Sequence, residues 1–194
     1  MKLIMTNHEY TYPLYAKVLH AGMAIFGITA FLTGEIAENG ASSAGFYIHA
    51  YLGLSLSLFV IVRLVSAISG SGRMRFSSWS PLSSMQWKLA SQDVRSLMKL
   101  QVPEREMHEG LSGLTQAFGL ILFSWMGATG TGLFLLNEGQ KKTLFEIIEE
   151  LHEVGEALIP LYLALHVGSV LVHSLAGKSI WQRMWKFKTS NDQN

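Results

Sequence analysis

The chain has 194 residues, 49% hydrophobic and only 15% charged, with a formal net charge of +1 and a mean hydropathy of +0.26. A charged fraction well below the ~25% usual for a soluble domain points to a membrane protein, and basic residues that do not cluster on one soluble face exclude nucleic-acid binding. The absence of cysteine excludes disulfides, iron–sulfur clusters and thiolate zinc sites within the chain.

The N-terminal stretch MKLIMTNHEYTYPLYAK lacks a cleavable signal: the first apolar run is too long for a signal core and has no cleavage-like exit, so that run is expected to remain as a membrane span. Residues 14–34, LYAKVLHAGMAIFGITAFLTG, are long and apolar enough to cross about 30 Å of hydrocarbon, with Lys17 able to snorkel to the interface. A short acidic, small-residue loop follows at 35–45. The second span is 46–69, with Arg63 as its only charge; the third is 111–136 and the fourth 149–176.

Residues 70–110 join spans two and three. Ser80-Pro81 reads as an N-cap followed by proline at the first helical position. Leu82, Met85, Leu89, Leu97 and Leu100 then fall near helical spacing, with Lys88, Arg95 and Lys99 among them and Trp79 and Trp87 as interfacial aromatics. The pattern predicts an amphipathic helix on the membrane surface, ending before Pro103. The expected fold is an all-α integral membrane protein. It is a four-helix transmembrane bundle with a cytoplasmic amphipathic helix between spans two and three, forming a single domain over 1–194.

Sidedness follows from lysine and arginine. The N-terminal flank, the end of span two with its loop, and the C-terminal tail hold thirteen of the fifteen basic residues; only Lys141 and Lys142 fall on the other side. Both termini are therefore expected in the cytoplasm of a multi-pass protein of the bacterial inner membrane.

Orientation sets the depth of each histidine. His152 and His166 are fourteen residues apart on span four, which brings their side chains to within about 40° of one face and about 21 Å apart along the axis. His20, early in the outgoing span one, is level with His166 near the inner side. His49, early in the ingoing span two, is level with His152 near the outer side. Each level pair comes from two helices, as a haem held between two axial imidazoles requires, and a histidine inside a membrane span is a functional candidate by default. Two bis-histidine haems are the simplest use of the four. Zinc or di-iron chemistry would need ligands gathered around one point.

Arg63 lies fourteen residues after His49, at the inner level, and is expected to pair with a propionate of the inner haem. Gly22, Gly27, Gly53, Gly155 and Gly168 lie near the candidate ligands, and Gly127, Gly130 and Gly132 punctuate span three, where glycine lets a flat ring approach the backbone. Pro160 is expected to bend span four between its two histidines. His8 lies in the polar tail and is expected to be solvated. His108, His173 and Glu109 are candidates for proton handling at the interface, and His173, seven residues after His166, competes with it as inner ligand; depth favours His166.

The stretch LHEVGEALIPLYLALHVGSVLVHSL with its basic tail KSIWQRMWKFK, together with the histidines of spans one and two, resembles the prokaryotic diheme cytochrome b561 family, close to the cytochrome b subunits of nickel–iron hydrogenases and related membrane dehydrogenases. The resemblance covers nearly the whole chain. It implies that His20 and His166 bind an inner haem b and His49 and His152 an outer one. It also implies electron transfer between a periplasmic or membrane donor and quinone. A partner redox protein (dehydrogenase, hydrogenase or cytochrome c) is expected, because the chain shows no Gly-rich nucleotide fingerprint and has no room for a flavin or nicotinamide domain. An electron-transfer subunit is favoured over a stand-alone enzyme, and a homodimer is left open. Two alternatives stand beside this reading: a self-sufficient quinone reductase oxidising a small donor such as superoxide, and a haem-free membrane anchor or transporter subunit.

Overall fold

The structure is a computed structural model, and it describes residues 12–37, 43–70, 75–103, 105, 108–136 and 142–186. The expectations for His8, Lys2, Arg73, Lys141, Lys188 and the side chain of Lys142 lie outside the described residues.

Helix α1 runs Leu14–Leu32 behind Pro13, whose φ of −63° suits a helix start. It ends at Thr33, whose hydroxyl donates back to the Thr29 and Ala30 carbonyls, 2.9 Å each. A single turn, α2 (Gly34–Ala37), follows. Helix α3, Ala44–Ser69, starts behind Ser43, whose Oγ accepts from Phe46 N at 3.1 Å, and ends at Gly70. A 3₁₀ turn at Phe76–Ser78 leads to α4, Ser84–Met98. Helix α5 is Leu111–Leu136, α6 is Lys142–Leu175 and the terminal turn α7 is Gln182–Trp185.

Four of these helices (α1, α3, α5 and α6) are long and apolar enough to cross a membrane, and the described residues contain no strand. The expected all-helical, four-span architecture is the one observed. The spans meet the expected ranges closely, except that α6 starts seven residues earlier than the apolar stretch. Its first turns are glutamate-rich but made of good helix formers, so the helix continues past its apolar part. α6 also runs through Pro160 without a break.

The packing order is α1 on α3, α3 on α5 and α5 on α6. Neither α1 nor α3 packs extensively on α6, so α6 closes the bundle across a cleft. Along α6 only Gly155 and Ile159 are buried among the described side chains. The compact core is small, centred on Ala67, Trp79, Ala117 and Leu120 at one end. Outward-facing Ile25, Ile28, Leu58, Ile61 and Ile121 are exposed, as side chains turned to lipid are.

Between spans α3 and α5 the sequence pattern finds a helix but not its inward face. α4 turns Gln86, Ala90 and Asp93 inward and leaves Met85, Trp87, Val94 and Met98 exposed. The reason is the start of α5, whose first N–H groups have no helical partner. Asp93 Oδ2 accepts from Leu111 N at 3.0 Å and Gln86 Oε1 from Gly110 N at 2.7 Å, while Arg105 pairs with Asp93 at 2.5 Å. Ser80 accepts from Leu82 N at 3.2 Å in a turn, and the helix itself begins three residues beyond Pro81.

Candidate cofactor site

The cleft brings the four intramembrane histidines together as two pairs. At one level His49 of α3 faces His152 of α6, ring centroids 6.1 Å apart and planes at 85°. At the other His20 of α1 faces His166 of α6, at 5.9 Å and 41°. His173 turns away: its Nδ1 lies 2.8 Å from the Ser169 carbonyl and its Nε2 3.2 Å from the Pro103 carbonyl, so it ties α6 to the connecting segment.

The His49–His152 pair is oriented from behind. His49 Nδ1 donates to the Ala30 carbonyl at 3.0 Å. A carbonyl only accepts, so Nδ1 carries the proton and Nε2 keeps its lone pair. Thr129 Oγ1 gives its own hydrogen to the Trp125 carbonyl (2.9 Å) and accepts from His152 Nδ1 (2.8 Å), with the same result. At Gly130 an added Cβ would stand 3.2 Å from His152 Cε1, so the small residue is what lets the imidazole lie against α5. Around the pair is a cavity of about 290 Å³ walled by small and apolar side chains such as Gly27, Ala30, Gly53, Leu56 and Phe123, with Glu149, Glu153 and Glu156 on its α6 side. Gly22, by contrast, faces the Phe59 ring and serves helix packing between α1 and α3.

The His20–His166 pair has aromatic walls. The Tyr162 ring is stacked on His166 at 5.5 Å and 14°, and Trp185 stands edge-on to His20 at 6.4 Å. A cavity of about 250 Å³ there is lined by Tyr12, Val167, Val170 and the C-terminal residues Ile180, Trp181, Met184 and Trp185. Tyr12 N donates to the Arg183 carbonyl at 3.1 Å and Lys17 Nζ to the Lys186 carbonyl, which holds the C-terminal segment over this end. His20 Nδ1 is buried without a hydrogen-bond partner among the described residues.

Arg63 is 5% exposed on α3. Its guanidinium lies over the Trp79 ring at 5.5 Å, and its Nη1 is buried without a partner among the described residues. Gln116 of α5 lies between Arg63, Trp79 and His108. Arginine and indole are obligate donors, so the amide oxygen must face them; it accepts from Arg63 Nη2 at 3.0 Å and Trp79 Nε1 at 3.3 Å. The amide nitrogen then points at His108 Nε2, 2.8 Å away. Tyr12 Oη is 2.9 Å from the same nitrogen. His108 has a φ of +64°, and Gln86 Nε2 donates to its carbonyl at 2.7 Å. Sequence spacing does not single out Thr129, Gln116 or Tyr12. Only Gln116, a polar side chain in an apolar run, carries a signal that could have marked it.

Haem b fits this donor set. Two imidazoles on one iron through Nε2, each bond about 2 Å with the ring centre about 1.1 Å beyond, put centroids about 6.3 Å apart. A direct N–H···N bond between the rings, about 2.9 Å long, would draw the centroids to about 5.1 Å. Both observed separations lie nearer the first value. The buried Nη1 of Arg63 adds a donor suited to a carboxylate.

No curated protein and no solved structure matches the chain. One family model does: that of prokaryotic cytochrome b561 matches residues 11–187, taking in all four spans and all four paired histidines. Both the fold and the donor set agree with a match of that extent, and the chain belongs to the prokaryotic cytochrome b561 family of bacterial membrane cytochromes b, which bind haem b and transfer electrons.

Proposed function

We propose that the chain is a single membrane unit holding two haems b, one between His20 and His166 and one between His49 and His152. In this reading it passes electrons between a partner redox protein and the quinone pool. The observation that carries the reading is the pair of ring separations, 5.9 and 6.1 Å, recurring at two levels across the same cleft. Each bound haem would supply a one-electron Fe(III)/Fe(II) couple. The chain's own residues do the rest. His20 with His166 and His49 with His152 would hold the two haems, and two imidazoles per haem would leave no open position for oxygen. The Ala30 carbonyl and Thr129 hydroxyl fix the tautomer at one level. Arg63 offers its Nη1 to a propionate at the other level, where Tyr12 lies between the cavity and the His108–Gln116–Arg63 cluster. The basic end, with both termini and α4, faces the cytoplasm, and the exposed apolar side chains of α4 rest in the inner leaflet with Lys88, Arg95 and Lys99 toward headgroups.

A haemochrome assay on the purified protein tests the count, and single substitutions test the pairing. Two haems per chain are expected. His20→Ala and His166→Ala should each abolish one and the same haem spectrum, and His49→Ala and His152→Ala the other. The double variant His20→Ala with His166→Ala should keep about half the haem, because ligands about 21 Å apart on α6 cannot share an iron. One haem per chain, or loss of all haem in an inserted double variant, refutes the scheme.

A further inference from the structure

We propose that Tyr162 is a positioning residue for the haem at the His20–His166 level: its ring, stacked on His166, fixes the plane of that imidazole. This deepens the two-haem reading and rests on it. At the other level hydrogen bonds do the aiming, through the Ala30 carbonyl behind His49 and the Thr129 hydroxyl behind His152. Among the described residues the His166 ring makes no hydrogen bond; its neighbours are other rings. Tyr162 lies four residues before it on α6, so the two share a face, and a helical side chain leans toward the N-terminus, back over the preceding turn. The outcome is a near-parallel, offset stack, 5.5 Å between centroids and 14° between planes, an arrangement that aromatic pairs favour.

A ring can fix its neighbour only if it is itself fixed, and Tyr162 is held from α5. Phe123 meets it edge-on at 5.3 Å and 88°, and Phe118 at 6.0 Å and 71°. Gly119 supplies the space: an added Cβ would stand 2.7 Å from Tyr162 Cζ and 2.8 Å from its Oη, too close for any side chain. His20 has no such backing. Trp185 stands edge-on to it at 84°, and its buried Nδ1 has no partner among the described residues. The angle within this pair is thus set largely at His166. The two levels hold their pairs differently, with 41° between the planes of His20 and His166 and 85° between those of His49 and His152. In a low-spin ferric haem the angle between the axial imidazole planes sets the splitting of the iron d orbitals. Perpendicular planes give a strongly anisotropic EPR signal and planes nearer parallel a rhombic one, so the difference can be read on each haem separately.

The test is low-temperature EPR of the oxidised, haem-loaded full chain. The wild-type protein should show two low-spin signals, the more anisotropic from the His49–His152 haem, which His49→Ala should remove. Tyr162→Leu should shift or broaden the less anisotropic signal alone, and haem at that level should be lost on dilution about 2- to 10-fold more readily, the worth of one aromatic pair. Tyr162→Phe keeps the ring and should leave both signals unchanged. A residue that merely filled space would lower stability in Tyr162→Leu without moving one signal selectively. Should Tyr162→Leu fail to insert, Gly119→Ala displaces the same ring from the α5 side and should move the same signal. An unmoved signal in Tyr162→Leu, equal shifts at both haems, a Tyr162→Phe variant that behaves as Tyr162→Leu does, or wild-type signals of equal anisotropy overturns the proposal. If His166→Ala leaves both haems in place, it is the haem assignment that fails, and the two outcomes are separable.

Discussion

The Nδ1 atoms of His49 and His152 are each engaged by an acceptor, whereas His20 Nδ1 is buried with none among the described residues. The two levels therefore differ in how firmly their imidazoles are aimed. Thr129→Val removes the acceptor behind His152 at nearly constant volume, and should loosen haem at that level by about 10- to 100-fold with the other level unchanged, read by haem retention on dilution. Arg63→Gln removes a buried cation, which disfavours the more negative reduced state. The His20–His166 haem potential should fall, and more than that of the other haem; equal shifts in a resolved redox titration would count against the placement. At this scale the depth pairing was legible in the sequence, because helix rise is regular enough to sort four residues into two levels. That His166 faces His20 while His173 lies against the Ser169 and Pro103 carbonyls is a matter of packing that no spacing argument could supply. Thr129 was illegible for a related reason, and Gln116 was marked only by its polarity and not by its partners: each acts across two helices, and their relative rotation is set by packing.

The four spans were readable as elements because apolar length is a sufficient signal for crossing a bilayer. The connecting helix shows where that logic stops. Its existence was signalled by Ser80-Pro81 and Pro103, but its inward face was not, since hydrophobic patterning assumes an apolar neighbour. Here the neighbour is the start of α5, which demands acceptors, and Gln86 and Asp93 provide them. Asp93→Ala should therefore cost about 1–3 kcal/mol by leaving Leu111 N and Arg105 without their shared partner. Limited proteolysis between α4 and α5 should accelerate while the haem spectrum persists; unchanged cleavage would mean that Asp93 does not hold this junction. The glycines divide along similar lines. Gly130 makes room for His152 and Gly53 lines the cavity, whereas Gly22 packs on Phe59, and one sequence signal served both uses.

At the scale of the whole molecule, the absence of cysteine gives a direct test of sidedness. A cysteine placed at Lys178 should be labelled only from the cytoplasmic side of sealed vesicles, and one placed at Glu150 only from the opposite side. The inverse pattern would reverse the depth assignments while leaving the two pairs intact. Sidedness matters because α6 carries both His152 and His166, about 21 Å apart along its axis. That span is roughly two-thirds of a bilayer core about 30 Å thick. An electron moving from one level to the other thus crosses most of the membrane's electrical thickness. A voltage of 100 mV would then bias the distribution between the levels by about 1.6 kcal/mol, more than tenfold. Such a protein would act as a wire whose current depends on the charge already stored across the membrane. In proteoliposomes, an imposed potential should shift the electron from one haem to the other with no change in the solution on either side.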